Sequence, residues 1–124
     1  MSKKHSFSQS ISFALEGIIF ALRNDPNFKI QAIVAVFALI LAIMLEIPFA
    51  EAAILVLTIG LVLILELINT TLEALVDLAT EEIKPRAKAA KDVSAAAVLL
   101  SAILSIIVGC LLFIPKIIRW ITLL

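Results

Sequence analysis

The chain has 124 residues, 63% of them hydrophobic, with ten basic and ten acidic side chains and a formal net charge of zero. A soluble domain is about 45–50% apolar, so this composition, with a mean hydropathy of +1.18, excludes an ordinary soluble domain and predicts one integral membrane domain over residues 1–124. Zero net charge argues against a nucleic-acid partner, and the single cysteine, Cys110 in an apolar run, excludes an intrachain disulfide and any cysteine–histidine zinc site.

The N-terminal segment does not read as a signal peptide, because Glu16 interrupts it and no small-residue cleavage site follows. Residues 6–23 instead predict an amphipathic helix. Phe7, Ile11, Ala14, Leu15, Ile18 and Leu22 recur at three- and four-residue steps, as in a helix lying on a membrane surface. RNDPN (23–27) breaks it at Pro26. A first span is expected over 28–45, short for a bilayer core of about 30 Å, so Lys29 and Gln31 should snorkel or face protein. EIPFAE (46–51) reads as a turn and 52–79 as a second span. TEEIKPRAKAAKD (80–92), the most charged segment, is interrupted by Pro85 and reads as a loop with a helix restart. A third span is expected over 91–114, with Ala95, Ala96, Ala97, Ser101 and Ser105 as a small side for close packing. Pro115 and KIIRW (116–120) mark its exit, with Trp120 as interfacial anchor.

Lysine and arginine set the orientation. Lys3, Lys4, Arg23 and Lys29 lie in the N-terminal segment and the entry to the first span, Lys84, Arg86, Lys88 and Lys91 lie in the second loop, and the other face has only Lys116 and Arg119. This predicts a cytoplasmic N-terminus and second loop.

The most informative stretch is ELINTTLEALVD (66–77), which follows the uncharged run AAILVLTIGLVLIL (52–65). At 100° per residue Glu66, Asn69, Glu73 and Asp77 share an arc of roughly 80°. A charge near mid-bilayer costs about 2.5–3.5 kcal/mol on insertion scales, so a polar stripe here should pair, bind an ion or do chemistry. Glu66, the deepest, suits general acid–base work. Glu73 and Asp77 lie nearer water and, with phosphate oxygens, are ligands of the kind Mg²⁺ prefers. Asn69 can donate and accept between them. Lys91 suits a phosphate, and Asp92 a ribose hydroxyl, a metal or the lysine itself. Asp25 adds a carboxylate at the same membrane face. Each has a plainer reading: Glu66 as a protonated interhelical hydrogen-bonder, Glu73 and Asp77 as solvated interfacial acids, Asp25 as part of a turn, Ser94 and Thr70 as packing hydroxyls. The residues alone leave the reaction open.

ELINTTLEALVD together with AKAAKDVSAAAVLL (87–100) resembles the two signature segments of the small prokaryotic lipid kinases, the diacylglycerol kinase/undecaprenol kinase family. SFALEGI (12–18) and NDPNFK (24–29) resemble that family's surface helix and its entry to the first span. The resemblance implies an all-α membrane fold: an N-terminal surface helix, three transmembrane helices and a homotrimer with sites between subunits. It implies transfer of the γ-phosphate of ATP, with Mg²⁺, to a membrane lipid hydroxyl at the cytoplasmic face of a prokaryotic inner or plasma membrane. By the same resemblance Glu66 matches the catalytic base, and Glu73 and Asp25 metal positions. Asn69, Asp77, Glu82, Lys91 and Asp92 match positions around the nucleotide. The chain departs from the family at Asp25, where a glutamate is usual, at Gln31, where His or Glu is usual, and at Lys84, where the family has His. INTT and AKAAKD look more like the branch that favours undecaprenol than the diacylglycerol branch. A small proton-coupled transporter is a rival that needs Glu66 and tolerates change at Glu73, Lys91 and Asp92. A non-catalytic membrane subunit is another, and needs the stripe only for folding.

Overall fold

The structure is a computed structural model describing residues 3–124. Its order is α1 (Phe7–Asn24), α2 (Pro26–Met44), α3 (Phe49–Ala79) and α4 (Pro85–Thr122), and the described residues hold no strand.

Each helix starts and stops for a local reason. Ser6 and Gln9 form a reciprocal capping box at α1: the Ser6 Oγ accepts from the Gln9 backbone N–H, and the Gln9 Oε1 from that of Ser6. At Asp25 the backbone is extended, which ends α1, and the same residue caps α2. Its Oδ1 accepts from the N–H groups of Asn27 and Phe28 at 3.0 and 3.2 Å, and Pro26 occupies the first helical position, where a missing N–H costs nothing. At the far end of α2 the Ile47 N–H reaches the Ala42 carbonyl and the Glu46 N–H that of Ile43. This is the Schellman arrangement, which requires a left-handed residue. Glu46 fills it with φ 50°, a position that favours glycine.

The spans fall where the hydropathy places them, but α4 is longer than expected. The helix restart expected in the 80–92 segment is continuous with the third span: residues 85–90, placed ahead of that span, already belong to α4, because Pro85 stands at the first helical position rather than inside the helix. Pro115 likewise does not end the span: α4 runs through it to Thr122, as proline in an apolar helix is tolerated when neighbours satisfy the freed backbone. The Lys116 Nζ also donates to the Leu112 carbonyl one turn back.

Three helices, α2, α3 and α4, are long and apolar enough to cross a membrane. Most of their apolar surface is outward: Phe37, Leu57 and Leu111 are each about 70% exposed, an area that only lipid or other protein can cover. The chain is therefore a membrane protein. α4 packs chiefly on α3, and α2 leans on α3 more lightly. The interior is divided. Ala42, Leu55, Leu112 and Phe113 form an apolar core at one end. At the other end the buried residues of α3 and α4 are polar: Glu66, Asn69 and Ser94. An ion pair between Glu51 and Lys116, both partly buried, ties the first turn of α3 to the end of α4.

Candidate functional site

The polar end is built by three helices. α3 supplies Glu66, Asn69, Thr70, Glu73 and Asp77, the start of α2 supplies Asp25 and Gln31, and the start of α4 supplies Lys91. Depth falls along the stripe as helical spacing requires: Glu66 is 1% exposed and Asn69 is buried, while Glu73 and Asp77 are exposed.

The buried carboxylate is held from α2. The Gln31 Nε2 donates to the Glu66 Oε2 at 3.0 Å. For the ionised carboxylate the amide points this way, since its oxygen would repel Glu66. This orientation leaves the Gln31 Oε1 buried without a hydrogen-bond partner, a cost of about 1–3 kcal/mol. Asn69 repeats the pattern one turn on, donating to the Glu73 Oε1 at 3.2 Å and leaving its own Oδ1 without a partner. Two amides thus steady two carboxylates. Asp25 and Glu73 both lie near enough to Glu66 for their charges to act on it.

Asp25 is less free than a loop carboxylate. Its Oδ1 serves the α2 cap, and its Oδ2 accepts from the Thr70 hydroxyl at 2.6 Å. Of about four lone-pair positions, three are used. At the outer edge the Lys91 Nζ pairs with the Asp77 Oδ1 at 2.5 Å, joining α4 to α3. Asp92 pairs with Lys88 one turn back on its own helix, also at 2.5 Å, and Glu82, in the 80–84 loop, lies 4.0 Å from Lys84. Neither acid bonds to the Glu66–Glu73 group.

The structure therefore gathers Asp25, Glu66, Asn69, Glu73, Asp77 and Lys91, and leaves Glu82 and Asp92 on its rim. Among the described residues no group of three or more donors is preassembled to hold a metal ion. Gln31 and Thr70 join the site although sequence reasoning assigned them no site role: Gln31 stood out as a departure from a family position and Thr70 as a packing hydroxyl.

A groove of about 730 Å³ opens beside this site. It runs along α2 from Ile30 and Gln31 to Met44, walled by α3 and α4. Its lining is apolar except for Gln31, Thr58 and Ser105, and the two hydroxyls are already spent on backbone carbonyls of their own helices. A second cavity, about 690 Å³, lies at the opposite end among Glu46, Glu51, Lys116, Arg119 and Trp120.

Residues 12–113 match the family model described as prokaryotic diacylglycerol kinase. An undecaprenol kinase of Bacillus subtilis (strain 168) is 42% identical over 110 residues, covering 89% of each chain. A diacylglycerol kinase of Synechocystis is 41% identical over 107 residues, 86% of this chain and 61% of that one. A diacylglycerol kinase of Escherichia coli (strain K12) is 28% identical over 104 residues, 84% of this chain and 85% of that one.

Proposed function

The chain belongs to the prokaryotic diacylglycerol kinase family and is a membrane lipid kinase, and from that premise we propose that its acceptor is undecaprenol, which it converts to undecaprenyl phosphate with ATP. The observation that carries the choice of lipid is the 42% identity to an undecaprenol kinase over 89% of both chains. The 41% identity to a diacylglycerol kinase supports diacylglycerol, giving phosphatidic acid, as the second reading. Transport by a proton-coupled carrier is not needed to account for any residue of the site.

Phosphoryl transfer asks the protein mainly to position groups and balance charge. Glu66 takes the proton of the lipid hydroxyl as its oxygen bonds to the γ-phosphorus and ADP leaves. Its burial fits a base that must meet a hydroxyl arriving from the bilayer. Glu73, steadied by Asn69, and the remaining lone pair of Asp25 would hold Mg²⁺, which supplies neutralising charge on the ATP phosphates when bound. Lys91 exchanges Asp77 for a phosphate oxygen. Asn69, Asp77, Glu82 and Asp92 complete the nucleotide's surroundings, the last two from the rim. α1 lies on the cytoplasmic membrane surface, and three copies of the single 1–124 domain form a homotrimer. What supports the orientation is the eight-to-two division of Lys and Arg between the two faces.

The deciding experiment is transfer of labelled phosphate from ATP, with Mg²⁺, to undecaprenol and to diacylglycerol in parallel micelles, with Glu66→Gln as control. Faster transfer to undecaprenol is expected. Preference for diacylglycerol replaces the first reading by the second. Transfer to neither by the folded protein rejects both.

A further inference from the structure

We propose that Gln31 is a positioning residue for the transfer step: it fixes the Glu66 carboxylate at the end of the apolar groove so that one oxygen meets the hydroxyl of a lipid whose chain lies along α2. This inference rests on the lipid-kinase site and on Glu66 as its base.

Three observations converge on Gln31. Its Nε2 donates to the Glu66 Oε2 at 3.0 Å across thirty-five residues of sequence, from a different helix. It also lines the groove, which continues from it toward Met44 for about 14 residues of α2, roughly 21 Å at 1.5 Å per residue. Finally, of the three polar side chains in that lining, Gln31 alone holds a buried polar atom without a partner, since Thr58 and Ser105 bond to Ile54 and Ala102. An apolar trough closed by one amide is shaped for an alcohol with a long apolar chain and a single polar end. The amide holds Glu66 without competing for the proton, because it has no group that takes one at neutral pH.

The chemistry follows directly. A carboxylate free to rotate spends less time in the attacking geometry, and small misplacements at a reacting centre are costly in rate. Gln31→Met keeps the length and shape of the side chain and removes the N–H. It is expected to lower kcat by about 10- to 100-fold, with the KM for ATP unchanged and the thermal midpoint preserved. Gln31→His restores a ring N–H donor and should recover most of that loss. Combined with Glu66→Gln, Gln31→Met should add little further loss, because a residue that acts through Glu66 has nothing to position once the base is gone.

Turnover of Gln31→Met within twofold of wild type would overturn the proposal. So would a full additional loss on top of Glu66→Gln, or a loss shared equally by kcat and the KM for ATP with a lowered thermal midpoint, which marks a merely structural role. Wild-type turnover measured alongside separates the two levels: an inactive wild type rejects the lipid-kinase site itself, whereas an active wild type with an indifferent Gln31→Met rejects only the role of Gln31.

Discussion

Asp25 does two jobs that different substitutions separate. Its Oδ1 caps α2 while its Oδ2 receives Thr70. Asn caps as well as Asp, and Ala does not, at a cost of about 1 kcal/mol. Asp25→Asn should therefore leave the thermal midpoint in detergent unchanged and raise the Mg²⁺ concentration needed for half-maximal turnover, whereas Asp25→Ala should lower the midpoint as well. A Mg²⁺ requirement unchanged in Asp25→Asn would assign Asp25 to the cap alone. For Glu66→Gln the expected outcome is a folded protein with kcat reduced about 10²- to 10⁴-fold, the usual weight of a general base, and single-turnover transfer in micelles measures it. The stripe from Glu66 to Asp77 was legible because periodicity ranks residues by face along a single helix. Gln31 and Thr70 were not, because their partners lie 35 and 45 residues away on a facing helix. Periodicity says which side of a helix is polar and nothing about which atom of a neighbour it meets.

The Glu51–Lys116 pair is the element-scale counterpart, for it joins α3 to α4 at the end away from the site. Both partners are partly buried, so the pair lies between exposed pairs worth about 0–1 kcal/mol and buried ones whose breakage costs about 3–5. Lys116→Met should destabilise by about 1–2 kcal/mol, read as a lower midpoint of detergent unfolding. Adding Glu51→Met, which removes the stranded acid, should return part of it. The interior of each helix was legible from hydropathy, and α1, α2 and α3 end within three residues of expectation. The ends of α4 were not, and both errors have one cause. Proline was read as a break, but Pro85 is harmless as the first helical residue and Pro115 is absorbed within a long apolar helix. The cost of that reading was residues 85–90 at the start of α4, the stretch that carries Lys88, and the last turns beyond 114.

At the scale of the whole molecule, the exposed apolar surface and the divided charge lead to two measurements. A single cysteine placed at Glu46 in a Cys110→Ala background should react with an impermeant thiol reagent on intact cells, and one placed at Lys84 only after lysis; the reverse pattern would invert the proposed orientation. Native mass spectrometry of the detergent-solubilised protein should give three times 13.4 kDa, and a monomer would reject the trimer. The unequal helices carry one more consequence. α2 has 19 residues and α4 has 38, roughly 28 and 57 Å at 1.5 Å per residue, against a hydrocarbon core of about 30 Å. A helix as long as α4 relieves hydrophobic mismatch by tilting or protruding, but α2 has no length to spare. Asp25 caps it and Gln31 sits in its second turn, so a thicker bilayer would draw these site residues toward hydrocarbon. Membrane thickness then becomes a control on turnover: in vesicles of graded acyl length, activity should fall on the thick side well before the fold is lost.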